Sequence, residues 1–322
     1  MSSTSSAALS TASTSHPADR PNEIWRSEYP FASNYLQVGP HRINYVDESP
    51  AGSDGGDPVL MVHGNPTWSF YWRRMIGKLS PNRRVVAVDH LGCGLSDKPV
   101  DHDYCLQNHI DNLCELIDQL DLQNVTLMAH DWGGSIGLGA LLARKERFKK
   151  IVLFNTGAFP PPYIPFRIRV CRWPLIGKLG VQGLNLFAKA ATFMATEQKG
   201  GLPEKIAAGM LAPYDNWNNR VAIYNFVKDI PLSKSHRTWA VLDRIESDLA
   251  SVADWPILMA WGMKDWCFRP ECLERLSQHW PNAEVHKIAD AGHYVIEDAA
   301  EEVEQKVQEF LRRHESRSEP LV

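Results

Sequence analysis

The chain has 322 residues, 44% of them hydrophobic, and its 34 Lys and Arg against 38 Asp and Glu give a net charge of −4. That balance offers no electrostatic hold on nucleic acid and leaves small neutral substrates open. The length suits one catalytic domain with an inserted subdomain better than two independent domains, and the cysteines Cys93, Cys105, Cys114, Cys171, Cys267 and Cys272, without a CxxC pair or regular framework, point to reduced structural thiols in a cytoplasmic protein.

Residues 1–22 are rich in Ser, Thr and Ala, lack the basic start and apolar stretch of a signal peptide, and read as a disordered tail. No run of about 20 apolar residues follows anywhere, so no transmembrane segment is expected. The polar, Gly-rich stretch Glu48–Asp57 reads as a hairpin loop between early strands. Leu60–Val62 is an apolar strand entering the turn His63-Gly64-Asn65-Pro66. A further strand, Arg84–Val88, ends in Asp89–Pro99, where glycines mark turns.

Asn124–Met128 reads as a strand and Ser135–Leu142 as a buried helix. Asp131 sits at the sharp turn between them, in His130-Asp131-Trp132-Gly133-Gly134, with the small Ala129 and Gly133 two positions either side. The pattern small-x-nucleophile-x-small is that of a nucleophile elbow, here with a carboxylate where serine is usual. An aspartate ahead of an apolar run also caps helices, so the motif alone leaves both roles open.

The next strand, Ile151–Asn155, is followed by Thr156-Gly157 with no carboxylate nearby. Residues 158–235 then break the strand-helix alternation. Phe159–Phe166 is proline-rich and several short apolar helices follow, a candidate helical lid inserted between core segments 23–157 and 236–322. Its Phe166, Trp173, Leu186, Phe187, Phe193, Met194, Trp217, Tyr224 and Phe226 are expected mostly inside the lid. Arg167, Arg169, Arg172 and Lys178 are expected on a solvated helix face, although a membrane surface or an acidic partner would suit them too. Two last strands, Pro256–Gly262 and Glu284–Ile288, deliver Asp265 and His293. The alternation predicts an α/β fold, a mostly parallel central sheet with helices on both faces.

Nucleophile, acid and histidine thus occur in the order of an α/β-hydrolase triad, Asp131, Asp265, His293. Lys264 keeps a surface ion pair open for Asp265, and neighbouring glycine turns keep plain turn roles open for His293 and Asn65. His63, His90 and His130 read as structural hydrogen-bonding residues. No HExxH or Cys/His spacing suggests a metal, and no cofactor is expected.

From His63-Gly64-Asn65-Pro66 through Asp131-Trp132 and Asp265 to His293, these motifs resemble those of the haloalkane dehalogenases within the α/β-hydrolase superfamily. The likeness is to their third subfamily, which overlaps the β-lactone decarboxylases of bacterial long-chain olefin biosynthesis, and it is carried by Asp89–Pro99, Leu153–Pro160 and Trp261–Trp266. These stretches do not separate the two activities. A carboxylate is already anionic at neutral pH and displaces a leaving group at an sp3 carbon directly.

The resemblance implies a halide held by the indole N–H of Trp132 and the side-chain amide of Asn65, and an alkyl ester on Asp131. The backbone N–H groups of the same two residues would be the oxyanion donors, and His293, oriented by Asp265, would activate the hydrolytic water. The expected function is therefore haloalkane dehalogenation, giving alcohol, halide and a proton. The alternatives are opening of a β-lactone with loss of carbon dioxide to a long-chain alkene; an epoxide hydrolase, which would use lid tyrosines such as Tyr163, Tyr214 or Tyr224; and, from another class, a catalytically silent binding protein. The substrate would be small and apolar. The likeness also implies a possible oligomer or complex with olefin-pathway enzymes.

Overall fold

The computed structural model describes residues 23–51 and 55–315; the tail expected over 1–22 lies outside the described residues. Eight strands form one sheet in the order β1-β2-β4-β3-β5-β6-β7-β8. They are β1 (Asn34–Val38), β2 (His41–Glu48), β3 (Gly56–Val62), β4 (Arg83–Val88), β5 (Val125–Asp131), β6 (Phe148–Thr156), β7 (Ile257–Gly262) and β8 (Glu284–Ile288). β1 and β2 form an antiparallel hairpin and β2 runs antiparallel to β4, while β3 to β8 are parallel. The parallel strands are apolar on both faces, as strands sandwiched between helix layers must be.

Alternate residues feed two cores. Leu60, Val62, Val86, Val88, Ile257 and Met259 face α2 (Leu106–Gln119) and α3 (Trp132–Ala143), while α1 (Arg73–Leu79) lies on the opposite side. Val59, Met61, Val85, Ala87, Leu258 and Ala260 face the other way, toward α1 and the C-terminal helix. This is the fold class the sequence implies, a mostly parallel sheet clad on both sides.

One local expectation fails. Glu48–Asp57 does not close a hairpin, because β4 lies between β2 and β3. Strand β3 takes parallel partners on both sides, β4 and β5, so the connection crosses about two strand spacings, roughly 10 Å. The hairpin lies one connection earlier, at Val38↔His41, where Gly39 supplies a positive φ of 55°.

Between β6 and β7 come α4 (Phe166–Val170), α5 (Ile176–Lys178), α6 (Leu186–Met194), α7 (Glu204–Leu211), α8 (Val221–Asp229) and α9 (Arg237–Asp248). α9 returns to the sheet, burying Leu242 and Ile245 in the first core, whereas α4 and α6 bring Ile168 and Phe187 over the carboxyl end of β5. The chain closes with α10 (Pro270–His279), α11 (Val295–Asp298) and α12 (Ala300–Arg313). Among the described residues no helix is long and apolar enough to cross a membrane.

Candidate active site

Asp131 ends β5 and directly precedes α3, with φ 55° and ψ −129°, a strained backbone that must be held by its surroundings. The tight approach explains the small neighbours. A Cβ on Gly133 would lie 2.1 Å from the Val62 carbonyl oxygen, and one on Gly64 would lie 2.1 Å from Oδ1 of Asp131 itself. The side chain makes no capping bond to the helix. Instead Oδ1 accepts the backbone N–H of Asn65 at 2.6 Å, and the Asp131 carbonyl accepts the Thr156 hydroxyl. With 6% of its surface exposed, the carboxylate has its pKa raised by burial, against the pull of His293 and the N–H groups of Trp132 and Asn65, with Asp265 adding to the rise.

His293 Nε2 stands 3.6 Å from Oδ2 of Asp131, and its Nδ1 is 2.8 Å from Oδ2 of Asp265, which fixes the proton on Nδ1. Burial alone would lower the His293 pKa; the carboxylates of Asp265, Asp131 and Asp298 outweigh it, and the pKa is raised. Asp265 is tethered in turn by the Cys267 N–H at 2.6 Å and the Asn155 amide at 3.0 Å. Lys264 turns away to Asp290 at 3.0 Å, so the ion pair open to Asp265 from sequence does not form.

Asn155 is a residue that sequence reasoning passed over while searching its strand for an acid. It is the penultimate residue of β6, with φ 24°, and it donates to the Gly262 carbonyl at 3.0 Å and accepts the Gly262 N–H at 2.8 Å. Its amide therefore locks the end of β6 to the loop that carries Asp265. The available signal was a polar side chain directly after the apolar run Ile151–Phe154. Cys267 and Phe268 were also missed; Phe268 stacks on the His293 ring, centroids 5.8 Å apart.

The other histidines serve the scaffold. His130 bonds the His293 carbonyl at 2.8 Å, and burial depresses its pKa. His63 accepts the His90 N–H on Nε2 at 3.0 Å and so donates from Nδ1 to Gly64 O at 2.7 Å; burial brings its pKa to about 3.

Asn65 points its amide nitrogen at the Ile223 carbonyl, 3.3 Å away, while its buried Oδ1 has no partner among the described residues. Trp132 packs against Phe226 and lines a cavity of about 110 Å3 that starts at Asp131. A second cavity, about 300 Å3, starts from the same carboxylate and holds His293. Asn65, Asp131, Ile168, Phe187 and Cys267 line both. Two largely apolar chambers therefore meet at one buried carboxylate, with Trp132 lining one and His293 the other.

The segment over the site differs from expectation. Leu186, Phe187 and Met194 line the larger chamber, and Tyr224 and Phe226 are buried, but Phe166, Trp173, Leu186, Phe193, Met194 and Trp217 have exposed side chains. Tyr214 is engaged by its hydroxyl with the Thr67 carbonyl at 3.1 Å, and neither it nor Tyr224 lines a chamber; Tyr163 does. The end of α6 is fastened to the loops that carry Asp265 and His293. Asp298 accepts the N–H groups of Gly292 at 2.7 Å and Glu197 at 3.1 Å, Tyr294 N–H donates to Ala195 O at 2.6 Å, and the Trp266 indole donates to Met194 O at 2.7 Å.

A family model described as the alpha/beta hydrolase fold matches residues 57–170 and 184–300. A protein of Shewanella oneidensis named cis-3-alkyl-4-alkyloxetan-2-one decarboxylase is 38% identical over 293 residues, 89% of this chain and 90% of that one. Haloalkane dehalogenase 2 of Mycobacterium tuberculosis is 32% identical over 279 residues, 85% of this chain and 93% of that one. Among solved structures, a mutant haloalkane dehalogenase from Agrobacterium tumefaciens C58 superposes with a TM-score of 0.78 at 25% identity, covering 88% of this chain and 97% of that one.

Proposed function

The chain belongs to the α/β-hydrolase fold family as an enzyme homologous to haloalkane dehalogenases and to cis-3-alkyl-4-alkyloxetan-2-one decarboxylases, and from that premise we propose that it converts a cis-3,4-dialkyl β-lactone to an alkene and carbon dioxide. The observation that carries this is the pair of apolar chambers meeting at Asp131. A β-lactone with alkyl arms on adjacent ring carbons needs two diverging apolar walls; a 1-haloalkane needs one. The 38% identity to decarboxylases over most of both chains supports the same choice.

In the proposed reaction an Asp131 oxygen attacks ring carbon C4 and the C4–O bond breaks, leaving an ester on Asp131 and a free carboxylate on C3. The indole N–H of Trp132 and an amide N–H of Asn65 would hold that departing carboxylate where a halide would otherwise sit. The C3–carboxylate bond then breaks, its electron pair forms the double bond, and the C4–O bond to Asp131 breaks to restore the carboxylate. No water is consumed. Inversion at C4 followed by antiperiplanar loss amounts to overall syn loss, so a cis lactone gives a cis alkene. Protonated His293, supported by Asp265, favours the return of charge to Asp131, and the residues over the chambers act as a lid that keeps water from the ester.

A haloalkane is the second substrate class, favoured by the same N–H groups beside a carboxylate nucleophile. It requires His293 in its neutral form to activate water. The test is a parallel assay of purified protein and Asp131→Ala on a cis-3,4-dialkyl β-lactone and on 1-bromoalkanes in heavy-oxygen water. Asp131-dependent cis alkene, formed faster than bromide is released and without a labelled hydroxy acid beside it, is expected. A labelled hydroxy acid as sole product, or bromide released faster than alkene, would sink the proposal.

A further inference from the structure

We propose that the face built by α4, α5 and α6 docks on an anionic lipid surface. Monomers normally scatter exposed apolar side chains singly, yet here they crowd into one short segment. Between residues 163 and 194, Phe166, Leu175, Ile176, Leu179, Leu184 and Phe193 are each more than half exposed, Leu175 at 76%, and Trp173 is nearly so.

The charge on this segment is one-sided. Residues 163–194 hold Arg167, Arg169, Arg172, Lys178 and Lys189 and no Asp or Glu, in a chain whose net charge is −4. Arg172 is used by the fold, its guanidinium donating to the Val227, Lys228 and Ile230 carbonyls at the end of α8. Arg167 lies over the Trp266 ring and Lys178 over that of Trp217, while Arg169 and Lys189 are exposed. Exposed apolar side chains interspersed with cations, in a segment that holds no Asp or Glu, match the interface of a bilayer carrying negative headgroups, where long basic side chains reach the phosphates while apolar ones enter the acyl boundary.

Backbone and cavity agree with this orientation. Ile176 N–H bonds back to the Pro174 carbonyl at 2.7 Å, with Leu175 at φ 63° and ψ −64°, a γ-turn of the rare, strained hand. The turn holds a leucine outward into solvent. Ile176, Leu186 and Met194, all exposed, also line the larger chamber, so that chamber opens through the same face. If the substrate is the dialkyl lactone, and this clause rests on the function proposed above, docking lets a water-insoluble alkene leave directly into hydrocarbon.

The experiment is vesicle flotation of the full chain without substrate, using phosphatidylcholine vesicles with and without phosphatidylglycerol, for the wild type, Leu175→Gly with Leu184→Ser, and Arg169→Glu with Lys189→Glu. None of these positions lines a chamber, and glycine at 175 relieves the turn, so turnover of a short-armed, dispersed substrate and thermal melting serve as folding controls. Flotation with anionic vesicles that falls at least about tenfold in both variants, and is weaker on neutral vesicles, is expected. No flotation, or flotation unchanged by the variants, overturns the proposal. So does a wild-type dimer in sedimentation that both variants dissociate without any vesicle binding, since the face would then be covered by a second copy. Because binding is read without turnover, failure of the lactone chemistry leaves this result interpretable.

Discussion

Asp265→Asn tests the electrostatics of the site at one atom. In the wild type Oδ2 of Asp265 takes the His293 ring N–H and the Asn155 amide, and Oδ1 takes the Cys267 N–H. The least disruptive placement of asparagine keeps its oxygen toward His293 and Asn155 and turns its NH2 toward the Cys267 N–H. One buried donor pair is then unsatisfied, about 1 to 3 kcal/mol of stability, which in a chain of this size is a melting shift of a few degrees. The His293 tautomer survives, but its largest pKa-raising partner is gone. With the tautomer retained, loss of the charge that favours protonated His293 lowers turnover by about a hundredfold, about 3 kcal/mol of transition-state stabilisation.

The pH profile carries the sign. The proposed alkene formation needs Asp131 ionised and His293 protonated, so its rate should rise through the Asp131 pKa, itself raised by burial, and fall above that of His293. In Asp265→Asn the falling limb moves toward acid. Hydrolysis of an alkyl ester needs neutral His293 and would show a rising limb there instead. The assay is initial rate against pH for both proteins, with melting curves as control. Activity within tenfold of wild type, or an unmoved alkaline limb, would refute the pairing of Asp265 with His293.

Asp131→Asn is expected to abolish turnover yet raise the melting temperature by a few degrees at neutral pH. A buried acid with a raised pKa destabilises the fold as pH climbs from its unfolded value through its folded one, so the gain should vanish in acid, as calorimetry at two pH values will show. Asn155→Ala removes a donor to Asp265 and both ties to Gly262; kcat should fall about tenfold or more with KM little changed, and an unaltered kcat would deny it a positioning role. Ala191→Phe fills the larger chamber alone. Lactone turnover should drop about tenfold or more while a short bromoalkane seated beside Trp132 is spared, and equal losses on both would count against two separate arms.

The elbow at Asp131 was legible in the sequence because everything that makes it is local: an apolar strand, a turn with small flanks, an apolar helix. The parallel sheet followed from the same alternation. Strand order was not, since pairing joins residues distant in sequence; a polar, Gly-rich stretch at residues 48–57 looks the same whether it closes a hairpin or crosses a neighbouring strand. Asn155 and Asp265 are 110 positions apart, and nothing in either segment announces their contact. Apolar spacing in α4 to α6 marks a face without saying which way it looks, so Phe166 and Phe193 were expected inside and are found outside.

The fastening of α6 to the loops of Asp265 and His293 bears on which part of the molecule can open. Three ties at Asp298, Tyr294 and Trp266 join the last turn of α6 and the residues after it to the stretch bearing His293 and Asp265. Any swing of that end would drag the imidazole off Asp131. The last turn of α6 is therefore a fixed point, and any opening of the larger chamber would have to come from α4 and the turn at Leu175, with Asp265 and His293 left in register with Asp131.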